Sequence, residues 1–286
     1  MMNLNAPETI RFYRPDDLTG VEVLAVENSP KLWRWFHQTY SICTVFGFDN
    51  RRQGQTKWAY RGREWSIGAR STMMMEPGEI HDTRHMTGAC SFRTTLFDPA
   101  EMTKAAREMG LSGSRPHLKL AGTDSPELFR AFQKLHECLE FPSTPLERQT
   151  RLAACQRVLL EQTAEKKPEP LVDESKPKAV HKAVALIREK WSKAVSLEEV
   201  AAVTGLSRFR LAHAFTRAVG IAPHAYQIQL RIGRARELLI KGAPVSEVAF
   251  QTGFADQSHL NRHFKRIMGV TPVQYRGGLP YRPFAR

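Results

Sequence analysis

The sequence predicts a chain of mixed class, with a β-rich N-terminal half closed by a helical hairpin and an all-helical C-terminal half holding two helix-turn-helix units. Three observations predict it. Short β-prone runs broken by turn residues fill the stretch from Val21 to Phe97, helical periodicity takes over after residue 177, and the helical half repeats itself.

The strand reading rests on "YSICTVFGF", "TKWAYRG", "STMMME" and "CSFRTTLF", which alternate with Gly, Asn-Arg and Pro-Gly punctuation. Such spacing suggests a small antiparallel barrel or sandwich. Two helices are expected over residues 123–164. The first opens at Asp124-Ser125-Pro126 and carries Leu128, Phe132, Leu135 and Leu139 on one stripe; the second opens at Thr144-Pro145-Leu146-Glu147, a Thr cap with Pro at the first position and Glu at the third. In "TAEKKPEPLVDESKPK" prolines and alternating charge replace apolar periodicity, so residues 165–177 read as a linker.

After the linker, Val180, Val184, Ile187 and Trp191 recur at helical spacing, and Ser196 with Glu199 forms a capping box for the next helix. Every later segment to Tyr275 also reads as helix. "SLEEVAAVTGLS" (196–207) matches "PVSEVAFQTGFA" (244–255) at one offset, pairing Glu199 with Glu247, Val200 with Val248, Ala201 with Ala249, Thr204 with Thr252 and Gly205 with Gly253. Past one inserted residue, Leu211 pairs with Leu260, Phe215 with Phe264, Gly220 with Gly269, Pro223 with Pro272 and Tyr226 with Tyr275. Each copy is a helix with small Ala at the crossing, a Gly-containing turn and a second helix with Leu and Phe four apart, the sequence form of a helix-turn-helix.

Charge falls in the same place as the repeat. The net charge is +13, yet residues 1–175 hold 23 Lys+Arg and 23 Asp+Glu, whereas residues 176–286 hold 19 and 6. A basic domain attached to a neutral one points to a polyanionic partner, with double-stranded DNA first and an anionic membrane surface second. No apolar run approaches the ~20 residues that span a bilayer, and the N-terminus has no secretory pattern, so a soluble protein located in the cytoplasm is expected. Cys43, Cys90, Cys138 and Cys155 lie far apart without a Cys-x-x-Cys pair, which suggests buried free thiols rather than disulfides or a zinc site.

With these motifs the sequence resembles the AraC/XylS transcription regulators. "RIGRARELL" and "GFADQSHLNRHFKRIMGVTPVQYR" carry the likeness, which covers about 178–276, and "YRGREWSIGARSTMMMEPGEIH" resembles, more weakly, that family's cupin-like effector domain. The resemblance implies a bacterial, sequence-specific DNA-binding regulator, often an activator, with no cofactor. The expected organisation is a cupin-like effector-binding domain (1–122), a helical hairpin (123–164), the linker (165–177), a double helix-turn-helix domain (178–276) and a tail (277–286). A small-molecule effector of unknown identity, RNA polymerase and a homodimer partner through residues 126–162 enter as partners by resemblance alone. For the hairpin leucines the other reading is packing onto the barrel.

Helix geometry selects the readers in the second unit without the family name. With Leu260 and Phe264 inward, at about 100° per residue, Ser258, Arg262 and Lys265 point outward, Asn261 lies on the flank, and Gln257 and His259 sit in the first turn. Arg suits guanine O6/N7, and Asn or Gln suits adenine N6/N7; a merely solvated face is the alternative. The resemblance places Gln257, Ser258, Asn261 and Arg262 where family members touch DNA, and in the first unit Phe209, Ala212 and His213. Phe209 is equally readable as core beneath the linking helix. Ser207 and Asp256 are expected N-caps. Phosphate candidates are Arg208, Arg210, Arg217, Arg231, Arg234, His259, Lys265 and Arg266, each with plain surface charge as its alternative.

In the N-terminal half, His37, Arg61, Arg63, Met74 and His81 are the candidate effector-binding residues; alternation between the core and the other face of a strand is the other reading for Met74, and exposed strand charge for Arg61 and Arg63. A cupin-type metal-dependent enzyme with a basic C-terminal domain is the alternative function. It would draw its ligands from His37, Glu79, His81 and His85, but the paired His that opens the family-wide metal motif is missing, so no metal is expected.

Overall fold

The computed structural model describes residues 7–49, 54–111, 115–164 and 177–277. They form two compact units, one ending at residue 164 and one spanning 177–277. The linker and the C-terminal tail expected from the sequence lie outside the described residues, save Pro177 and Gly277 at their ends.

The first unit begins with strands β1 (Thr9–Tyr13), β2 (Val21–Ser29), β3 (Arg34–Phe36), β4 (Tyr40–Phe48), β5 (Gln55–Tyr60), β6 (Arg63–Gly68), β7 (Ser71–Met75), β8 (Ile80–Met86) and β9 (Cys90–Phe97). Helix α1 (Pro99–Glu108), the short β10 (Gly122–Thr123) and helices α2 (Pro126–Glu140) and α3 (Pro145–Thr163) follow. A six-stranded antiparallel sheet in the order β1-β2-β9-β4-β7-β10 faces a four-stranded one in the order β3-β8-β5-β6. The two meet through Trp33 and Trp35 against Phe92. β5 turns into β6 through Arg61 and Gly62 at φ +51° and +71°, the pair of left-handed residues that a tight two-residue hairpin requires.

On the outer face of the large sheet, Tyr40, Ile42, Met74 and Phe97 are fully buried under Leu128, Phe132, Leu135 and Leu139 of α2 and Leu159 of α3. Each of these is worth about 1.5–3 kcal/mol of burial, and that face would otherwise meet water. The hairpin stripe assigned to dimerisation by resemblance is therefore used up inside the unit, as the alternative reading had it. Both helices start where expected: the Ser125 hydroxyl accepts from Leu128 N–H, and the Thr144 hydroxyl from Glu147 N–H. Helix α1 was not foreseen, although its signal is present in Asp98-Pro99-Ala100-Glu101, with the Asp98 carboxylate accepting from Ala100 N–H.

The second unit is helical throughout: α4 (Lys178–Glu189), α5 (Leu197–Thr204), α6 (Arg208–Val219), α7 (Pro223–Ile240), α8 (Val245–Gln251), α9 (Gln257–Met268) and α10 (Pro272–Gly277). α5–α6 and α8–α9 are the two repeats. Ser196, Ser207 and Asp256 cap α5, α6 and α9 through hydroxyl or carboxylate acceptors. Gly205, Gly220 and Gly269 end their helices in the left-handed conformation. α7, 18 residues long, bridges the repeats. Trp191 is not the last turn of α4, which ends at Glu189; it lies in the turn toward α5.

Candidate nucleic-acid interface

Helix α9 is divided by its own sequence. Leu260, His263, Phe264, Ile267 and Met268 are buried, while Gln257, Ser258, Arg262, Lys265 and Arg266 are exposed. The Asp256 carboxylate accepts from His259 N–H at 2.7 Å, fixing the first turn. Asn261 is half-buried, its Oδ1 covered and without a hydrogen-bond partner among the described residues, so it lies lower on the flank than its neighbours.

His259 is also half-buried: its Nδ1 accepts from Ala255 N–H at 3.4 Å and its ring meets Phe254 edge-on. Arg266 donates to His263 Nδ1 at 2.9 Å. Burial and the neighbouring Arg266 push the His263 imidazole down to about 4, so it is neutral near pH 7. Arg266 thus has one structural contact and an exposed position near the end of the helix.

In α6, His213, Arg210 and Arg217 are exposed and Ala212 is half-buried, while Leu211 and Phe215 are fully buried. The Phe209 side chain lies outside the described residues. Arg208 pairs with Glu198 on the surface, and Arg234 of α7 pairs with Glu237 at 2.7 Å beside the Trp191 ring. Exposed pairs of this kind contribute little to stability.

Arg231 requires a correction. It is 8% exposed, and its guanidinium donates to the main-chain carbonyls of Trp191 at 3.0 Å, Lys193 at 2.9 Å and Gly253 at 2.5 Å. A side chain so committed holds the fold and does not reach a phosphate.

In the first unit the structure brings together His37 and His81, their rings 5.6 Å apart in the interior between the sheets. Burial holds the His81 imidazole down at about 3, against the opposing effect of Asp82. Trp33, Trp35, Trp58 and Tyr60 complete the cluster. Sequence reasoning missed these aromatics, although "WRWFH" puts Trp33, Trp35 and His37 on one face at a period of two. The indole N–H groups of Trp33, Trp35 and Trp58 and His81 Nδ1 are buried without a hydrogen-bond partner among the described residues.

The other candidates go elsewhere. Met74 is a correction: it sits on the opposite face of its strand, in the core beneath α2 and α3, because β7 alternates sides. Arg61 pairs with Glu76 and Glu79, each at 2.8 Å, and Arg63 is exposed at the β5–β6 hairpin. Glu79 is taken by Arg61 and His85 faces outward, so the four nominated metal ligands do not converge; among the described residues no group of three His, Cys, Asp or Glu does. The four cysteines are free and buried. No described helix is long and apolar enough to cross a membrane.

Comparison with known proteins matches residues 200–278 to a helix-turn-helix domain model and residues 32–155 to an AraC-like ligand binding domain model. The uncharacterised HTH-type transcriptional regulator YbfI of Bacillus subtilis is 30% identical over 231 residues, 79% of this chain and 80% of its own length. The HTH-type transcriptional activator RhaS of Escherichia fergusonii is 32% identical over 107 residues, 37% of this chain and 38% of its own. Among solved structures, the DNA-binding domain of AdpA in complex with a target DNA is 30% identical, covering 35% of this chain and 92% of that one, with a TM-score of 0.34. The relatives are transcriptional regulators, which sets aside the metal-dependent enzyme. The chain belongs to the AraC/XylS family of transcriptional regulators, with an AraC-like ligand-binding unit and a DNA-binding unit of two helix-turn-helix motifs.

Proposed function

We propose that α9 and α6 enter successive major grooves of one duplex. α9 discriminates bases through Gln257, Ser258, Asn261 and Arg262; α6 contributes shape and apolar contact through Phe209, Ala212 and His213. Arg208, Arg210, Arg217, Arg234, His259, Lys265 and Arg266 lie toward the phosphates. One observation carries the reading: the apolar half of α9 is wholly buried while its outward arc is polar or cationic. α7 supports the spacing, since 18 residues at about 1.5 Å each give about 27 Å, near the ~34 Å between groove faces.

The test is fluorescence anisotropy of a labelled duplex over a salt series. Neutralising several phosphates releases condensed counterions, so log K should fall linearly with log salt, with a slope of about −0.9 per phosphate contacted. Salt-insensitive binding, or none, refutes the reading.

The interior around His37 and His81 is proposed as the effector site. The buried indole N–H groups of Trp33, Trp35 and Trp58 and the buried His81 Nδ1, without partners among the described residues, support it, because such groups cost about 1–3 kcal/mol each until a hydrogen-bonding partner reaches them. Effector binding there would shift the population of DNA-competent chains in the cytoplasm, and contact with RNA polymerase would convert occupancy into transcription. A homodimer through residues 126–162 would have to use the outward faces of α2 and α3. A melting screen of the full chain with candidate metabolites tests the site: a binder should raise the transition temperature and perturb tryptophan emission, and should do neither after Trp58→Leu.

A further inference from the structure

Gln227 and Arg231 stand one turn apart on α7, 6% and 8% exposed, and address the same stretch of backbone. Gln227 Nε2 donates to the carbonyl of Lys193 at 2.8 Å and lies 3.3 and 3.4 Å from those of Trp191 and Lys190. Arg231 binds Trp191 and Lys193 from its Nε and one terminal nitrogen, while the other terminal nitrogen reaches Gly253. Residues 190–193 lead into the first helix-turn-helix; Gly253 is the turn of the second. The two segments also touch, since a Cβ built on Gly253, at φ +74°, would lie 2.0 Å from Ser192 O.

The partners of Arg231 are carbonyls in the turn after α4 and in the α8–α9 turn, outside any helical ladder, and buried carbonyls there need a partner. A planar fork with five donors is the side chain that satisfies several carbonyls at fixed angles; lysine has one rotatable ammonium in its place. The ring of Phe254, 5.9 Å from the guanidinium carbon, covers one side.

We propose that Arg231, assisted by Gln227, is a positioning residue that fixes the two helix-turn-helix units relative to each other, so that α6 and α9 meet DNA as one rigid reader. The proposal rests on the two-groove reading above. Rigid coupling makes the second groove contact intramolecular, and its gain depends on geometry that matches the span.

The experiment uses the full chain and the duplex it selects from a random-sequence library. It adds duplexes with either half scrambled and one with about 2 base pairs inserted between the halves, which rotates them by about a fifth of a turn. Wild type should bind the inserted duplex at least tenfold more weakly than the intact one. Arg231→Met should bind the intact duplex about tenfold more weakly, yet match wild type on half-sites and salt slope, with its insertion penalty reduced to about threefold or less. An equal loss on intact and half-site duplexes, a salt slope shallower by about one contact, or an insertion penalty as large as the wild type's overturns the proposal.

If Arg231→Met does not fold, judged by thermal melting, Gln227→Leu removes one strut and Gly253→Ala pushes on Ser192 O with Arg231 intact. Each should soften the insertion penalty, and a wild-type penalty in both overturns the proposal. A wild-type chain indifferent to insertion and to loss of either half instead removes the two-groove reading itself.

Discussion

Lowering the pH from 7 to 5 should destabilise the N-terminal unit by about 4 kcal/mol through His81 and His136. Both imidazoles are buried, and burial depresses each from 6.5 to about 3, joined at His136 by repulsion from Arg93. A depressed imidazole stays neutral in the folded chain while the unfolded chain takes up a proton below 6.5. Stability is therefore full above pH 6.5 and is lost as the pH falls toward 3. One pKa unit is about 1.4 kcal/mol, so the pH 7 to 5 interval removes about 2 kcal/mol per histidine. The assay is urea unfolding followed by tryptophan emission. Trp33, Trp35, Trp58 and Trp65 lie in this unit and Trp191 alone in the other, so the signal reports mainly the first. Asparagine titrates at neither pH, so His81→Asn with His136→Asn should flatten the dependence. A wild-type midpoint unchanged between pH 7 and 5, or a double variant that falls as steeply as wild type, refutes the reasoning.

Substitutions at four positions test the second unit. Arg262→Ala should cost about 1–3 kcal/mol of DNA binding and relax preference at one base position; a uniform loss across sequences, read by competition binding, would make Arg262 a phosphate contact. Asp256→Ala removes the cap on His259 N–H and should cost about 1 kcal/mol of stability in chemical denaturation, with Asp256→Ser closer to wild type. Phe264→Ala should cost about 3–5 kcal/mol because the ring is fully buried against Tyr275. By contrast Phe250→Ser, at a side chain 86% exposed, should stay within about 0.5 kcal/mol.

The parts that could be read from the sequence are those where local chemistry decides. Ser125, Thr144, Ser196, Ser207 and Asp256 each cap the helix they were expected to cap, because an N-cap needs only a short polar side chain and the N–H groups just beyond it. The strand "YSICTVFGF" is β4 to the residue, since β-branched and aromatic residues bounded by turns leave few alternatives. What failed depended on which face met what. The side on which Met74 falls is set by the pairing of β7 with β4, and pairing is invisible to composition. Arg231 looks like any arginine on a basic helix until the carbonyls of residues 191, 193 and 253 are brought around it.

The duplication supplies its own control for what the second unit has gained. Gly205 and Gly253 occupy the same place in the two copies and share a left-handed backbone, at φ +71° and +74°. A Cβ on Gly205 would meet nothing within 4 Å, whereas one on Gly253 would strike Ser192 O. In the first copy glycine answers a conformational demand alone; in the second it also admits a neighbouring backbone. The adjacent position follows suit, with Leu206 half-buried and Phe254 buried beneath Arg231. The outward faces have diverged in parallel: Ala212 and His213 stand where the second copy has Asn261 and Arg262. Bidentate recognition of a base requires the latter pair and is beyond the former. The copy whose turn is packed against Ser192 O and bound by Arg231 is thus the one with the side chains best suited to base edges. Directional hydrogen bonds reward fixed placement, whereas apolar and backbone contacts tolerate looseness.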